Sequence, residues 1–302
     1  IMADTGGIEL DNYNFESNYV HLPEGRIHYV EAGSGPTLLM IHGNPTWSYL
    51  YRHMIHGLKD RFHCVAVDHL GFGLSDKPAG ADYSVLAHSR RLGEVVEALG
   101  LEKVTPVVQD WGGPIGLHWT VQNKDLIERL VILNTIGFIP RLRDLSLSRI
   151  WALPLLGFLK APGLGELFLQ RLNAFVLYGV PGAIHNAESK TRERMKGYRH
   201  PFPDYASRAA MLELPREIPL SPWHPNIRLF REIGAGLKDW DVRTQLIWGL
   251  RDPAFNIALA RRFEQLLPNH APTIEIPNAS HFLQEDTPEP IIEAIRGFFE
   301  AA

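Results

Sequence analysis

The sequence predicts an α/β fold, with a mostly parallel central sheet interrupted by a block of helices before its last strands. Three observations lead there. From Arg26 to about Thr135, short apolar runs alternate with helical stretches. From about Gly137 to Pro225 the strand pattern vanishes and proline-punctuated helical segments replace it. From Trp240 the strand–helix rhythm returns, as in α/β proteins. On this reading residues 1–136 and 226–302 form the core domain. Residues 137–225 form a helical cap over the C-terminal edge of the sheet, where open α/β sheets bind ligands.

The elements follow in order. "RIHYVEAG" is the first strand pattern. "TLLMIHG", "FHCVAVDH", "VTPVVQD" and "RLVILNT" are nearly continuous apolar runs, as expected of parallel strands covered on both faces. "DYSVLAHSRRLGEVVEALG" carries Leu86, Leu92, Val95, Val96 and Leu99 at helical spacing and stops at Gly100, a C-cap residue. "GELFLQRLNAFVLYG" and "HNAESKTRERMKGY" are helical segments of the insertion. "TQLIWGLRD" and "APTIEIPNASH" resume the strands, and the amphipathic "PEPIIEAIRGFFE" closes the chain. Phe138, Ile139, Trp151, Leu155, Phe168, Phe175 and Leu177 are the candidates to line a pocket under the insertion.

Bulk properties narrow the function. The 302 residues suffice for one large α/β domain with an insertion. Hydrophobic and charged shares of 45% and 21% are ordinary for a globular protein. The net charge of −4, without a long basic run, argues against nucleic-acid binding. The one cysteine, Cys64, lies in an apolar run, so an inert buried thiol and a reducing, cytoplasmic setting are expected. The N-terminal stretch has no basic and apolar targeting pattern. The most apolar window, "IWALPLLGFL", is broken by Pro154 and falls short of the roughly 18 residues that span a bilayer. No metal-ligand cluster or phosphate-cradling glycine loop is present in the right context, so no metal and no cofactor are expected.

The chemistry sits at the strand ends. In "VVQDWGGPIG", Asp110 ends an apolar strand and precedes a helix opened by glycines. A side chain on such a turn is held exposed beside the unpaired N–H groups of the helix. An aspartate there also serves as a plain helix cap, yet a carboxylate can equally act as a covalent nucleophile. In "IHGNPTWS", a His-Gly turn follows a strand, and the backbone N–H of Asn44, with that of Trp111, could form an oxyanion hole. His42 is read as structural. In "IPNASHFLQEDTPE", His281 follows the last strand as a general base. In "LIWGLRDPAFN", Asp252 ends the preceding strand and is placed to orient His281.

With these residues in view, the chain resembles a haloalkane dehalogenase of the α/β-hydrolase superfamily. "HGNPTWSYLYR", "VAVDHLGFGLSDKP", "VVQDWGGPIGLHW" and "SHFLQEDTPE" carry the resemblance, together with "PFPDYASRAAMLELPREIP". It runs from about Phe15 to Phe299. The resemblance implies the nucleophile at Asp110, the base at His281, and a halide held by the side chains of Asn44 and Trp111. Some members place the acid after the sixth strand. Asn134 stands there in this sequence, and an amide cannot serve, which leaves Asp252.

The implied reaction explains why a carboxylate replaces the usual serine. A carbon–halogen bond offers no carbonyl to attack. Displacement by a carboxylate leaves an ester that water can cleave, whereas a serine would leave an ether. The expected partners are a small hydrophobic halogenated substrate, halide and water. An epoxide hydrolase would share the site but needs tyrosine donors, for which Tyr178, Tyr198 and Tyr205 are available. A β-lactone decarboxylase resembles the same site, and a non-catalytic receptor is the remaining alternative. Chain length, halogen, enantiomer and oligomeric state do not follow from these motifs.

Overall fold

The structure is a computed structural model and describes residues 9–141 and 160–301. Eight strands form one sheet in the order β1-β2-β4-β3-β5-β6-β7-β8. They are β1 (Asn18–Leu22), β2 (Gly25–Ala32), β3 (Thr37–Ile41), β4 (His63–Val67), β5 (Val104–Asp110), β6 (Leu130–Thr135), β7 (Thr244–Gly249) and β8 (Ile274–Ile276). The β1–β2 and β2–β4 pairs are antiparallel and every other pair is parallel.

The apolar runs became the central strands for the reason their composition suggested. β5, β6 and β7 are buried along their whole lengths, because helices cover both faces of such a sheet. Edge strand β8 keeps only three residues of the longer sequence pattern, and its first two are exposed. β1 had no counterpart among the expected strands. Its "NYVHL" alternates weakly, and pairing with β2 supplies what local pattern does not.

Helices α1 (Arg52–Leu58), α2 (Val85–Ala98) and α3 (Gly112–Gln122) connect the first strands. Ser84 caps α2 by accepting the N–H of Ala87. Gly100, at φ +61°, ends it, with the N–H of Leu101 returning to Val96 O. This is the αL helix stop in which glycine carries no Cβ penalty. Leu86 does not belong to the buried stripe of α2: it is exposed, and Val85 takes its place beside Leu92, Val95 and Val96. The closing helix Pro288–Glu300 buries Ile291, Ile295 and Phe298.

Between β6 and β7 the described chain contains only helices and loops. Short π-helical turns at Glu166–Arg171 and Phe175–Gly179 precede the helices Arg192–Arg199 and Ala209–Arg216. The helix Asn226–Lys238 then packs on α3 and returns the chain to the sheet. One buried ionic cluster bolts this insertion to the core. The guanidinium of Arg52 pairs with Glu285, donates to Tyr49 O and lies 3.8 Å from the centroid of the Tyr49 ring. From the insertion, Tyr198 donates to Glu285 Oε1 at 2.6 Å. Among the described residues, no helix is long and apolar enough to cross a membrane.

Candidate active site

The C-terminal ends of the parallel strands bring the expected residues together. Asp110 is the last residue of β5 and has φ +51°. That left-handed conformation costs a non-glycine residue on the order of 1–3 kcal/mol. The surrounding contacts hold it there: Thr135 Oγ1, at the end of β6, donates to Asp110 O. Two glycines make room for the turn. A Cβ on Gly43 would sit 2.1 Å from Asp110 Oδ1, and one on Gly112 would sit 2.0 Å from Ile41 O. The carboxylate therefore stands free of its own helix, facing the loop after β3.

Its two oxygens have different neighbours. Oδ1 accepts the backbone N–H of Asn44 at 2.7 Å. Oδ2 lies 3.2 Å from His281 Nε2. On the far side of the ring, His281 Nδ1 donates to Asp252 Oδ2 at 2.9 Å. Asp252 is itself fixed. Its Oδ1 accepts the N–H groups of Ala254 and Phe255, at 2.7 and 3.0 Å. Phe255 stacks on the imidazole, with ring centroids 5.5 Å apart, and Phe282 meets it edge-on.

All three titrating groups are buried. Burial works against the His281 imidazolium. The charge of Asp252 and the hydrogen bonds to Asp110 and Asp252 outweigh it and raise the pKa to about 10. The cation is thus the favoured form while both carboxylates are ionised.

Asn44 and Trp111 flank Asp110. Asn44 is buried, and its Nδ2 donates to Met211 O of the insertion at 3.0 Å, which leaves a second amide hydrogen for a ligand. Its Oδ1 is buried without a partner. Trp111 is the residue before α3 and is half-buried. Among the described residues its indole N–H makes no hydrogen bond. Such a group seeks a partner when covered. His42 has a structural place: its Nδ1 pairs with Gly43 O and its Nε2 accepts the N–H of His69.

Three contributors were not assigned from sequence. Asn134, set aside because an amide cannot be the acid, donates through Nδ2 to Asp252 Oδ2 at 2.9 Å and accepts the N–H of Gly249. Gln109 Nε2 donates to His281 O at 2.9 Å. Asp286 accepts the N–H of Ser280, the residue before His281, at 2.7 Å. The signal available for the first two was a lone amide inside an apolar strand run, since a buried polar group needs a partner.

The pocket candidates fare unevenly. Phe138 packs edge-to-face on Phe263 with centroids 4.8 Å apart and is a core residue. Ile139 is exposed, and Phe168, Phe175 and Leu177 are half-buried in the insertion. Trp151 and Leu155 lie outside the described residues. Of the tyrosines that an epoxide reading would need, Tyr178 and Tyr205 are exposed at the surface, and Tyr198 is committed to Glu285. Among the described residues, no group of three His, Cys, Asp or Glu side chains is placed to hold a metal ion.

The chain as a whole has known relatives. The family described as alpha/beta hydrolase fold matches residues 36–288. Haloalkane dehalogenase 2 of Mycobacterium tuberculosis is 40% identical over 94% of this chain and 94% of its own. A cis-3-alkyl-4-alkyloxetan-2-one decarboxylase of Shewanella oneidensis is 33% identical over 94% of this chain and 88% of its own. The crystal structure of haloalkane dehalogenase DbeA from Bradyrhizobium elkani superposes with a TM-score of 0.87 at 28% identity, covering 96% of this chain and all of that one. The chain belongs to the α/β-hydrolase fold family and, within it, to the haloalkane dehalogenases.

Proposed function

We propose that the protein hydrolyses haloalkanes to an alcohol and halide through an ester on Asp110. One observation carries this reading. The residue at the nucleophile turn is a carboxylate, held between the Asn44 N–H and His281. Relatives whose names state haloalkane dehalogenation direct it to carbon–halogen bonds.

The two oxygens of Asp110 divide the work. Oδ1 already occupies the N–H of Asn44, so Oδ2 attacks the carbon. The new O–C bond forms as the carbon–halogen bond breaks, and halide leaves with the electron pair. Trp111 Nε1–H and the Asn44 amide meet that developing charge and favour the transition state over the bound substrate.

Esterification then changes the base. With Asp110 alkylated, one of the anions that stabilised the His281 cation is gone. The pKa falls toward the range in which imidazole removes a proton from water. Hydroxide adds to Cγ while the oxyanion stays on Oδ1, in the N–H groups of Asn44 and Trp111. Collapse releases the alcohol, which takes the proton from His281, and leaves Asp110 as the carboxylic acid; His281 passes that last proton to solvent and the carboxylate is restored. Asp252 supports the imidazolium throughout.

Residues 137–225 are proposed to act as the cap domain that closes the pocket. Cys64 is buried and its thiol pushed up to about 12 by burial. A structural thiol of this kind suits a reducing compartment, and the proposal places the enzyme in the cytoplasm.

The test is product analysis with a bromoalkane, an epoxide and a β-lactone, plus a single turnover in H2(18)O. Bromide and alcohol should form from the first substrate, with the label in Asp110 and not in the alcohol. Label appearing directly in the alcohol would rule out the ester. Olefin from the β-lactone, with no bromide from the bromoalkane, would replace this reading by decarboxylation.

A further inference from the structure

We propose that Asp286 is a positioning residue for ester hydrolysis, clamping the backbone that carries His281 to the helical insertion. The inference rests on the function proposed above. It goes beyond it by assigning a role in one of the two chemical steps to a residue that touches neither substrate nor nucleophile.

Asp286 is 4% exposed. Its Oδ2 accepts the N–H of Ser280 at 2.7 Å. Its Oδ1 accepts two N–H groups of the insertion, from His185 at 2.7 Å and Asn186 at 2.6 Å. Among the described residues it forms no ion pair, so three backbone donors hold this buried charge. A carboxylate out of water needs such donors. Next to it, the N–H of Phe282 reaches Ala183 O of the insertion at 3.3 Å. The residues on either side of His281 are therefore both tied to residues 183–186.

On the core side, the same loop is held by Gln109 Nε2 on His281 O and by Ser280 Oγ on Arg251 O, at 2.9 and 3.2 Å. Asp252 orients the ring, but a hydrogen bond to Nδ1 leaves the ring free to move with its backbone. The clamp at Ser280 removes that freedom. A displacement of about 1 Å in a reacting group can cost roughly a hundredfold in rate.

The two chemical steps depend on this clamp unequally. Alkylation uses Asp110, which keeps its bonds to Asn44 and Thr135 and its place in the turn after β5 even when the contact of its Oδ2 with His281 loosens. Hydrolysis uses His281. Loosening residues 280–282 should therefore slow the second step and spare the first. General damage to the fold would slow both alike.

The experiment is rapid-quench kinetics of native protein and Asp286→Asn with a bromoalkane, following bromide, alcohol and intact mass. Asn presents an NH2 where Asp286 accepts, against at least one backbone donor. The variant should release about one bromide per site in a burst within twofold of the native rate. Alcohol should then form at least tenfold more slowly, with an alkyl adduct of the enzyme accumulating. Asp286→Glu, which keeps the carboxylate, should recover part of the hydrolysis rate.

His185→Pro gives an independent arm. It deletes one donor from the insertion side only, after an Ile184 already extended at φ −95° and ψ 132°, the conformation favoured before proline. It should show the same selective slowing, to a smaller extent. It carries the test if Asp286→Asn loses cooperative unfolding. Equal slowing of both steps, or no slowing of either, overturns the positioning role while leaving the proposed function intact. Native protein that releases no bromide overturns the proposed function, and the clamp with it.

Discussion

At the ends of β3, β5, β6 and β7 the site residues are each held from several sides, whereas the helical insertion is a set of short turns with many surfaces open. Asp252 alone accepts four hydrogen bonds. In the insertion, Leu167, Leu172, Tyr178 and Tyr205 are exposed apolar or aromatic side chains. The difference fits what the proposed function asks of each region. Bond making tolerates little error in angle and distance, so its groups stand on rigid strands. The proposed cap, as a pocket wall, only has to present a shape. Polar contacts that join the two regions include Asn44 on Met211 O, Trp47 on Gly197 O, Arg52 and Tyr198 on Glu285, Phe282 on Ala183 O, and Asp286 on residues 185 and 186.

The largest expected effect falls on the strand-end side. His281→Phe should still be alkylated by a bromoalkane, gaining one alkyl group by intact mass, but turnover should drop by roughly a hundred- to ten-thousandfold. An unmodified mass under conditions where native protein turns over would break the division of labour between Asp110 and His281. The same variant reads out a pH effect. The folded pKa of His281 is raised from 6.5 to about 10. A raised folded pKa adds stability that is fully present below the unfolded value and is lost as pH climbs through the folded one. Native Tm should therefore decline from pH 6.5 toward 10 more steeply than the Tm of His281→Phe. Parallel curves would count against the ion pairing.

Arg52→Met tests the seam. Among the described residues, it leaves the buried Glu285 side chain with only Tyr198 and a distant Arg194 as partners. Breaking a buried pair from one side costs about 3–5 kcal/mol, readable by urea unfolding. A loss under about 1 kcal/mol, well below that range, would show that the insertion is held by its apolar contacts instead.

Trp111→Phe keeps most of the ring and loses the indole N–H. One charge-assisted hydrogen bond is worth on the order of 1.5–3 kcal/mol, so bromide release should slow roughly ten- to a hundredfold. Chloride should suffer at least as much, being the poorer leaving group. Unchanged bromoalkane turnover would remove Trp111 from the halide site.

Asn134→Ala is expected to have the smallest effect, roughly tenfold or less, because Asp252 keeps two N–H donors and its bond to His281. Asp252→Asn should cost far more. Equal losses in the two folded variants would mean that Asn134 does more than steady the acid.

Much of the strand-end region was legible in the amino-acid order. Asp110, His281, Asp252, Asn44 and Trp111 each sit where an apolar run stops, and a parallel sheet gathers such stops along one edge. The role of Asn134 was not legible, because its partner Asp252 lies 118 residues away. Nothing local says that an amide which cannot be an acid will steady one. Leu86 misled for a related reason. Helical spacing marks a stripe, but the neighbours decide which edge of that stripe is covered, and Val85 was covered instead.

What the sequence determined by itself was whatever depends on near neighbours: the buried strands, the helix stop at Gly100, the glycines around the nucleophile turn, and the residue types at each strand end. These follow from backbone sterics and periodicity, which act over a few residues. Only the tertiary structure decided which oxygen of Asp110 faces His281, that Asn134 and Gln109 donate to Asp252 and to His281 O, and that Asp286 ties residue 280 to the insertion. Those are hydrogen bonds between segments brought together by burial of apolar faces. A buried polar group takes whichever partner that packing brings within about 3 Å.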